Sequence, residues 1–470
     1  MVDKNIKKQL EEIVGKENVE DSIASRLAYS YDATPQFQSL PDAIVSPRST
    51  IEVSQVIKLC HEHKIPVVPR GSGTNLCAGT CPIKGGIVLL FKNMNKILEI
   101  DEDNLTVTVQ PGVITLHLME AVEKKGLFYP PDPSSMKIST IGGNINENSG
   151  GLRGLKYGVT RDYVLGLEVV LPNGNIIRTG GKLAKDVAGY DLTRLFVGSE
   201  GTLGVITEAT LKLIPLPESK KTMLALYDDL EACAKTVSKI IANKIIPATL
   251  EFLDKSTIEV VEDYTKVGLP TDVEAILLIE QDGSEEVVNR DMEAMKNICL
   301  QEKAISVQLA ESEKEANELR TARRFALSAL ARLKPTTILE DATVPRSEIA
   351  NMVKSIKEIA NKYDVRICTF GHAGDGNLHP TCLTDVRNEE EMERVEKAFE
   401  EIFEKAIELG GTITGEHGVG AMKAPYLHLK LGENGIEAMK AIKQAFDPNN
   451  MMNPGKVFAK SERKRVVISS

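Results

Sequence analysis

The stretch STIGGNINENSGGLRGLKYG (residues 139–158) contains six glycines among polar residues. RGSGTNL (70–76) lies before it and VGSEGTLG (197–204) after it, and both are also rich in glycine. Glycine is costly in backbone entropy, but the missing Cβ lets backbone N–H groups approach an anion closely. Three such loops in one predicted domain therefore indicate an extended anionic cofactor around which they wrap.

The first loop, RGSGTNL, follows a predicted strand, as a phosphate-binding loop should. It is a weak match to a dinucleotide fingerprint, since Leu76 stands at the third glycine position and no helix is predicted directly after it. Taken alone, this loop predicts a tight turn. The interpretation that it binds a cofactor depends on the other two loops.

Composition limits the function classes. A chain of 470 residues, 42% hydrophobic and 26% charged, has room for two or three cores of an ordinary globular protein. The net charge of −10 argues against nucleic acid as the main partner. The basic cluster KSERKR (460–465) predicts a solvated tail, with a docking strip as the alternative.

The seven cysteines have no disulfide-type spacing, so Cys77 and Cys81 are predicted to be reduced thiols near a loop. The N-terminus has no long apolar segment, and no stretch reaches the roughly 20 apolar residues of a membrane span. We therefore expect a cytoplasmic protein, or one that meets a membrane only through a partner.

Short β-type runs broken by glycine fill residues 1 to about 215, with helical patches between them, and LPNG from Leu171 predicts a hairpin turn. PLPESKK from Pro215 predicts a domain boundary. Two amphipathic helices follow, one behind a capping Ser347 and one ended by Gly410. Their predicted buried positions are Ile349, Met352, Val353, Ile356 and Tyr363 in the first, and Met392, Val395, Phe399, Ile402 and Ala406 in the second. The predicted domains are 1–215, 216–425 and a C-terminal helical segment, 426–470, that returns to the first domain.

Three of the seven histidines lie in two short segments, GHAGDGNLH (371–379) and GEHGVG (415–420). His372 and His379 are seven residues apart, a spacing suited to a loop closing on an ion. Two imidazoles and one carboxylate fit zinc, manganese or iron(II), with positions open for water or substrate. The alternative is that each histidine is an ordinary hydrogen-bonded loop residue.

PRGSGTNL (69–76), the long segment 141–174 and FVGSEGTLGVITE (196–208) together resemble the FAD domain of the vanillyl-alcohol-oxidase superfamily. More narrowly, the chain resembles the branch that contains the glycolate oxidase FAD-linked subunit and D-lactate dehydrogenases. The resemblance implies an α+β fold: a PCMH-type FAD-binding domain of two subdomains, plus a cap domain with an antiparallel sheet flanked by helices.

The resemblance also implies which residues hold FAD. The diphosphate would lie on the first loop, the second stretch would follow the cofactor, and the third would reach its adenine–ribose side. The first loop lacks the histidine that tethers flavin in some relatives, so non-covalent FAD is expected. The residues are Arg70, Gly71, Ser72, Gly73, Thr74 and Asn75; then Pro131, Asp132, Ser139, Thr140, Gly142, Gly143, Asn144, Ser149 and Gly150; and finally Glu200, Gly201, Gly204, Val205 and Ile206.

For the reacting site, the resemblance implies that His372, His379 and Glu416 bind a divalent metal (zinc, iron or manganese) and that His417 is the base. It aligns Arg323, in NELRTARRFA, with the arginine that binds the substrate carboxylate. Without the resemblance, these arginines would equally fit a solvated helix face. Arg320 stands where relatives often have tryptophan.

The implied activity is that of an FAD-dependent dehydrogenase of a small D-2-hydroxy acid, with D-lactate expected first and glycolate next. Relatives that oxidise 2-hydroxyglutarate have a lysine shortly before the position of Asp341, where this chain has Leu339 and Glu340. A second substrate carboxylate beside Glu340 would be unfavourable, so substrates with one carboxylate are expected.

The electron acceptor is not visible in the motifs, since the chain has neither an iron–sulfur ligand set nor an NAD fingerprint. Relatives suggest an electron-transferring flavoprotein as partner, and an oligomer or complex subunit is expected. Two alternatives remain open: a non-redox alkyl transferase that uses FAD, as found in the same superfamily, and a mainly structural flavin-carrying subunit of a complex.

Overall fold

The computed structural model describes residues 2–458, so the basic cluster at 460–465 lies outside the described residues. The chain forms two compact units. Among the described residues, the first comprises 2–149, 159–216 and 416–458, and the second comprises 150–158 and 217–415. These ranges depart from the predicted domains at 150–158 and at 416–425.

Contacts within each unit explain both departures. Lys156 Nζ lies 2.5 Å from Asp282 Oδ1, and the Tyr157 hydroxyl donates to the same oxygen at 2.8 Å, which ties 150–158 to the second unit. In the first unit, the amides of Ala421 and Met422 donate to the Cys77 carbonyl at 3.0 and 3.1 Å.

Strands of both units are numbered along the chain, as are the α-helices. The strands are β1 Val19–Glu20, β2 Ala43–Val45, β3 Val67–Arg70, β4 Ile87–Leu90, β5 Ile97–Asp101, β6 Thr106–Val109, β7 Leu127–Phe128, β8 Val164–Val170, β9 Ile176–Gly180, β10 Val205–Lys212, β11 Ile214–Pro215, β12 Ser219–Tyr227, β13 Thr249–Asp254, β14 Ala275–Gly283, β15 Ser306–Leu309, β16 Thr336–Leu339, β17 Ala342–Thr343, β18 Ile367–His372 and β19 Asn377–Thr384. The helices are α1 Lys4–Val14, α2 Ile23–Ala28, α3 Thr50–His63, α4 Thr115–Glu123, α5 Ile141–Glu147, α6 Gly154–Tyr157, α7 Leu192–Phe196, α8 Leu230–Ala242, α9 Lys255–Thr265, α10 Glu285–Gln301, α11 Glu313–Arg324, α12 Ala326–Leu330, α13 Ile349–Tyr363, α14 Glu389–Glu408 and α15 Leu427–Phe446.

The first unit has two main sheets. A four-stranded sheet has the order β1-β2-β4-β3, with β2 and β3 parallel to β4, and α3 is the crossover helix between β2 and β3. A five-stranded antiparallel sheet has the order β5-β6-β10-β8-β9. The C-terminal segment completes the first core, because Met452 pairs with Val67 and both are fully buried.

The second unit contains one eight-stranded sheet with the order β15-β12-β14-β13-β18-β19-β16 and with β17 on β19. Each of these pairings is antiparallel. Helices α8, α9, α10, α13 and α14 bury apolar faces in this unit. The predicted α+β class, with an antiparallel sheet flanked by helices in the second half, is confirmed.

The turn after Leu171 and the buried faces of α13 and α14 lie where the sequence predicts them, with the exceptions of Tyr363 and Ser347. The turn after Leu171 joins β8 to β9, and Gly174 has φ +81° in it. The amphipathic positions are buried in α13 and α14 except Tyr363, which is half-buried and donates to Glu401 at 2.8 Å. The predicted cap at Ser347 is wrong, because a 3₁₀ turn at Arg346–Glu348 precedes α13 and places Glu348 at the N-cap without a side-chain bond.

The seven cysteines are all buried and form no disulfide. Within residues 2–458, none of the helices has the length and apolar content that a bilayer span requires.

Asp254 couples the start of α9 to β18. One carboxylate oxygen accepts the Thr257 amide and hydroxyl at 2.8 and 2.7 Å, and the other accepts the Thr369 amide at 2.7 Å. Burial raises the pKa of this carboxyl to about 6, although these donors and Lys357 oppose the shift. The folded protein therefore binds this proton more tightly than the unfolded chain does.

We predict that the free energy of unfolding falls as the pH rises from about 4 to about 6, on the order of 1–3 kcal/mol from this group. Asp254→Asn should remove that part of the pH dependence, as measured by urea midpoints at pH 4, 5 and 6. Asp229→Asn, which alters the exposed N-cap of α8, is the control. An unchanged slope in Asp254→Asn would contradict the assignment.

Candidate functional site

The three glycine-rich loops converge in the first unit. The Ser72 hydroxyl of the first loop donates to the Ile138 carbonyl at 2.5 Å. A Cβ on Gly71 would lie 2.1 Å from Thr140 Oγ1, so glycine is required for this approach. In the third loop, the Glu200 amide donates to the Asn146 carbonyl at 2.9 Å. The residues fit a cradle of closely packed backbone, as an anionic cofactor needs.

Several residues predicted to hold FAD also support the loops. Thr140 caps α5 by accepting the Gly143 amide at 3.3 Å, and Asn144 donates to Thr115 at 2.7 Å. Arg70 is buried, and burial lowers its pKa; it donates to the Tyr31 carbonyl at 2.8 Å. A Cβ on Gly73 would lie 2.2 Å from the Arg70 guanidinium, so Arg70 packs under its own loop.

Nine more of the residues predicted to hold FAD lie in other parts of the chain. Pro131 and Asp132 follow β7, Ser139 lies within 3.0 Å of the Thr115 hydroxyl, and Ser149 within 3.3 Å of the Thr160 hydroxyl. Gly201 and Gly204 precede β10, where Val205 and Ile206 stand. Gly150 belongs to the second unit.

Glu200 makes contacts that the sequence did not predict: its buried carboxylate accepts the amides of Val419 and Gly420 at 2.7 and 2.6 Å. These amides belong to the second and third residues after His417. Glu200 therefore holds the backbone of the GEHGVG segment within the first unit. Its place near the adenine–ribose side of FAD stays a prediction.

The segment GHAGDGNLH is a β-hairpin rather than the predicted loop. His372 ends β18 opposite Asn377, and Phe370 lies opposite His379 on β19. Residues opposite each other share a face, as do residues two apart, so both histidines face the same side. Their ring centroids lie 5.1 Å apart, and both side chains are buried. The four-residue turn closes because Gly376 adopts φ +86°.

A buried carboxylate that the sequence did not predict contacts side chains on the face where His372 and His379 lie. Glu251 on β13 is fully buried; its Oε1 lies 2.8 Å from His372 Nδ1, and its Oε2 lies 2.7 Å from Arg323 Nη2. Burial opposes ionisation of Glu251, yet His372 and Arg323 hold its pKa below the usual value. The available signal was an acidic residue between apolar neighbours in the strand sequence TLEFL (249–253).

Arg323 lies on the same face of the second unit. It is 3% exposed, and its guanidinium carbon lies 4.8 Å from the centre of the Phe370 ring. Among the described residues, its Nε has no hydrogen-bond partner. Arg320, one helical turn earlier, is fully engaged by Glu280, Glu313, Asn317 and Thr222.

The end of the second unit is fixed close to this hairpin. Asp341 Oδ2 accepts the Gly415 amide at 2.6 Å and the Thr414 hydroxyl at 3.3 Å. A Cβ on Gly415 would lie 2.8 Å from the side chain of Asn377, the residue opposite His372. Glu416 and His417 are the next two residues of the chain.

Comparison with known proteins agrees with this architecture. Residues 41–180 match the FAD binding domain model, and residues 216–457 match the model of FAD linked oxidases, C-terminal domain. The chain is 73% identical to the glycolate oxidase subunit GlcD of Bacillus subtilis (strain 168), over 99% of each chain. It is 41% identical to the D-lactate dehydrogenase of Anaerostipes hadrus, over 89% of this chain and 90% of that one.

Solved structures with 19% identity share the fold. They include p-cresol methylhydroxylase, with a TM-score of 0.79 over 96% of each chain. Alkyldihydroxyacetonephosphate synthase has a TM-score of 0.75, over 95% of this chain and 85% of that one. The predicted PCMH-type fold is thereby confirmed. The chain belongs to the FAD-linked oxidases, in the family that contains the glycolate oxidase subunit GlcD and D-lactate dehydrogenases.

Proposed function

We propose that this chain oxidises a short 2-hydroxy acid with one carboxylate to the 2-oxo acid, using non-covalent FAD and a divalent metal. Glycolate comes first and D-lactate second, reversing the expectation from sequence, because the relative with 73% identity is named for glycolate. The observation that carries the metal-assisted mechanism is the hydrogen bond between His372 Nδ1 and Glu251.

FAD fits the first unit. The converging loops at 70–76, 139–149 and 197–206 supply backbone amides and leave no room for a Cβ at Gly71. When bound, the flavin supplies the hydride acceptor for the hydrogen at C2 of the substrate. The protein has to place that carbon, hold the carboxylate and take the hydroxyl proton.

A metal fits the donor set. Imidazoles that bind metals commonly donate their second nitrogen to a carboxylate, which sets the tautomer and ring orientation. The Glu251 contact on His372 Nδ1 has this form and directs metal binding to Nε2. His372, His379 and Glu416 would hold zinc, iron or manganese, which would lower the pKa of the substrate hydroxyl.

Arg323 suits the substrate carboxylate. Its planar guanidinium can bind a carboxylate through two nitrogens, and its buried Nε has no hydrogen-bond partner among the described residues. Glu251 and Phe370 orient it. Glu340, 1% exposed, stands where relatives acting on a dicarboxylate have a lysine, which disfavours a second substrate carboxylate.

His417 is proposed as the base that takes the hydroxyl proton. It follows the ligand Glu416 directly, and an imidazole has a pKa suited to proton transfer near neutral pH.

Electrons would pass to a protein partner, such as an electron-transferring flavoprotein or another subunit. The name of the Bacillus subtilis relative, an oxidase subunit, supports assembly into a complex. The cytoplasmic location stays a prediction. The alkyl-transferase alternative gains nothing from the synthase structure, because 19% identity shows the fold alone.

We predict that glycolate or D-lactate, added without oxygen to the purified yellow protein, bleaches the flavin absorbance within the turnover time. 2-Hydroxyglutarate should react more slowly, and L-lactate serves as the stereochemical control. Stopped-flow absorbance measures each rate. No bleaching by any of these acids would overturn the proposed function.

Replacing the proposed base should separate binding from chemistry. In His417→Gln, flavin reduction should slow by about 10²- to 10⁴-fold, the usual contribution of a general base, while FAD content stays unchanged. The measurement is the limiting reduction rate at saturating substrate. A rate equal to that of the unaltered protein would remove His417 from this role.

Two glutamates in the second unit form a matched pair for testing the metal. Glu251 pairs with Arg323 and His372, whereas Glu280, one strand away, pairs with Arg320 and Thr222. Both Glu→Gln variants should lose stability, on the order of 3 kcal/mol, because each disturbs a buried ion pair. Zinc affinity, measured by chelator competition, should fall about 10- to 100-fold in Glu251→Gln and stay unchanged in Glu280→Gln. Equal affinities in the two variants would contradict the assignment of Glu251.

A further inference from the structure

Glu200 is an unusual residue in the first unit. It is 7% exposed and adopts φ +52°, a strained conformation for a non-glycine residue. Its two carboxylate oxygens accept the amides of Val419 and Gly420, at 2.7 and 2.6 Å. Each oxygen thus accepts its own short hydrogen bond, and the two donors are consecutive residues of the segment 415–420.

We propose that Glu200 is a positioning residue, whose carboxylate fixes the backbone that carries Glu416 and His417. This inference rests on the proposed function, in which those two residues are metal ligand and base. A displacement of about 1 Å in a reacting group can cost about 100-fold in rate, so the anchor of this loop matters to the chemistry.

The backbone at Gly418 and Gly420 packs so closely on neighbouring residues that neither position has room for a Cβ. Gly418 has φ +83°, and a Cβ there would lie 2.4 Å from Glu147 Oε2 and 3.2 Å from Glu200 Oε1. At Gly420, with φ +49°, a Cβ would lie 1.9 Å from the Cys77 carbonyl oxygen. The backbone after His417 therefore packs directly on Glu147, Glu200 and Cys77.

Different groups hold the two halves of the loop. Beyond Gly420, the amides of Ala421 and Met422 donate to the Cys77 carbonyl, and the Val457 amide donates to the Gly420 carbonyl at 2.8 Å. Nearer His417, at Val419 and Gly420, the anchor is the Glu200 side chain. Substitution of this one side chain therefore acts on the part of the loop next to the base.

Keeping a carboxylate here is costly, because burial opposes its ionisation and raises the pKa of Glu200. Potential ligand atoms of Glu200, Glu147 and Cys77 lie within 4.8 Å of one another. The buried lysines Lys423 and Lys456 offset part of that cost. A metal site formed by Glu200, Glu147 and Cys77 is a weaker explanation for the buried carboxylate. Both Glu200 oxygens already accept hydrogen bonds from backbone amides, and burial raises the pKa of the Cys77 thiol well above its usual value. The amide anchor accounts for the buried carboxylate directly.

The test must separate loop positioning from FAD binding, since the third loop also belongs to the cofactor cradle. Glu200→Gln keeps the volume but turns an amide NH₂ toward one of the two backbone donors. Glu200→Asp keeps the charge opposite the lysines and shortens the reach by one methylene, so it serves if the first variant does not fold. Glu168→Gln is the control: Glu168 is a buried glutamate of the same unit, bonded to Thr50, Thr207 and Arg178.

We expect the limiting rate of flavin reduction in the holoenzyme to fall about 10- to 100-fold in both Glu200 variants. The substrate dissociation constant should change less than about threefold, and the bound FAD should be unchanged, since the loss lies in the reacting geometry. Hydrogen exchange at Val419 and Gly420 should speed up as well. Glu168→Gln should lower the melting temperature without altering the limiting rate.

Unchanged limiting rates in both Glu200 variants would overturn the inference, as would a loss of FAD in proportion to the loss of rate. If the unaltered protein reduces no flavin with any hydroxy acid, the proposed function fails by itself. Amide exchange at Val419 and Gly420 then still decides whether Glu200 anchors this loop.

Discussion

The buried carboxylate of Glu251 is the interaction on which the site of the second unit depends. A fully buried anion is tolerated when its neighbours offset the lost hydration, and here Arg323 forms an ion pair with Glu251 at 2.7 Å and His372 Nδ1 lies 2.8 Å from its other oxygen. The same contacts orient the proposed metal ligand and the proposed carboxylate-binding arginine. One strand position thus links the proposed metal site to the proposed substrate site, and a change at either one would disturb the other.

In the first unit, the main structural feature is the close approach of several backbone segments. Glycines at 71, 418 and 420 stand where a Cβ would collide with neighbouring atoms. Buried ionic and polar side chains then fix the segments, with Arg70 under the first loop and Glu200 under the segment that follows His417. The glycine-rich loops of the first unit thus bring backbone amides close together for the cofactor, in place of the helix N-terminus that a Rossmann fold uses.

Sequence alone predicted what local pattern determines: the α+β class, the burial of α13 and α14 and the hairpin turn after Leu171. It also singled out the two histidine segments. It missed Glu251 and the anchor role of Glu200, because these depend on partners far away in the chain; Glu200 and Val419 are 219 residues apart. Ser347 failed as a cap because a 3₁₀ turn intervenes, and GHAGDGNLH became a hairpin because Gly376 allows a tight reversal.

The proposed function requires a divalent metal that is bound by His372, His379 and Glu416 and serves the oxidation of a short hydroxy acid. Anomalous diffraction from crystals of the metal-loaded holoenzyme, collected on both sides of the metal absorption edge, tests it most directly. We expect one strong anomalous peak coordinated by the two hairpin histidines and Glu416. A peak elsewhere with none at these residues, or no peak in an enzyme that still reduces its flavin, would contradict the proposed metal site.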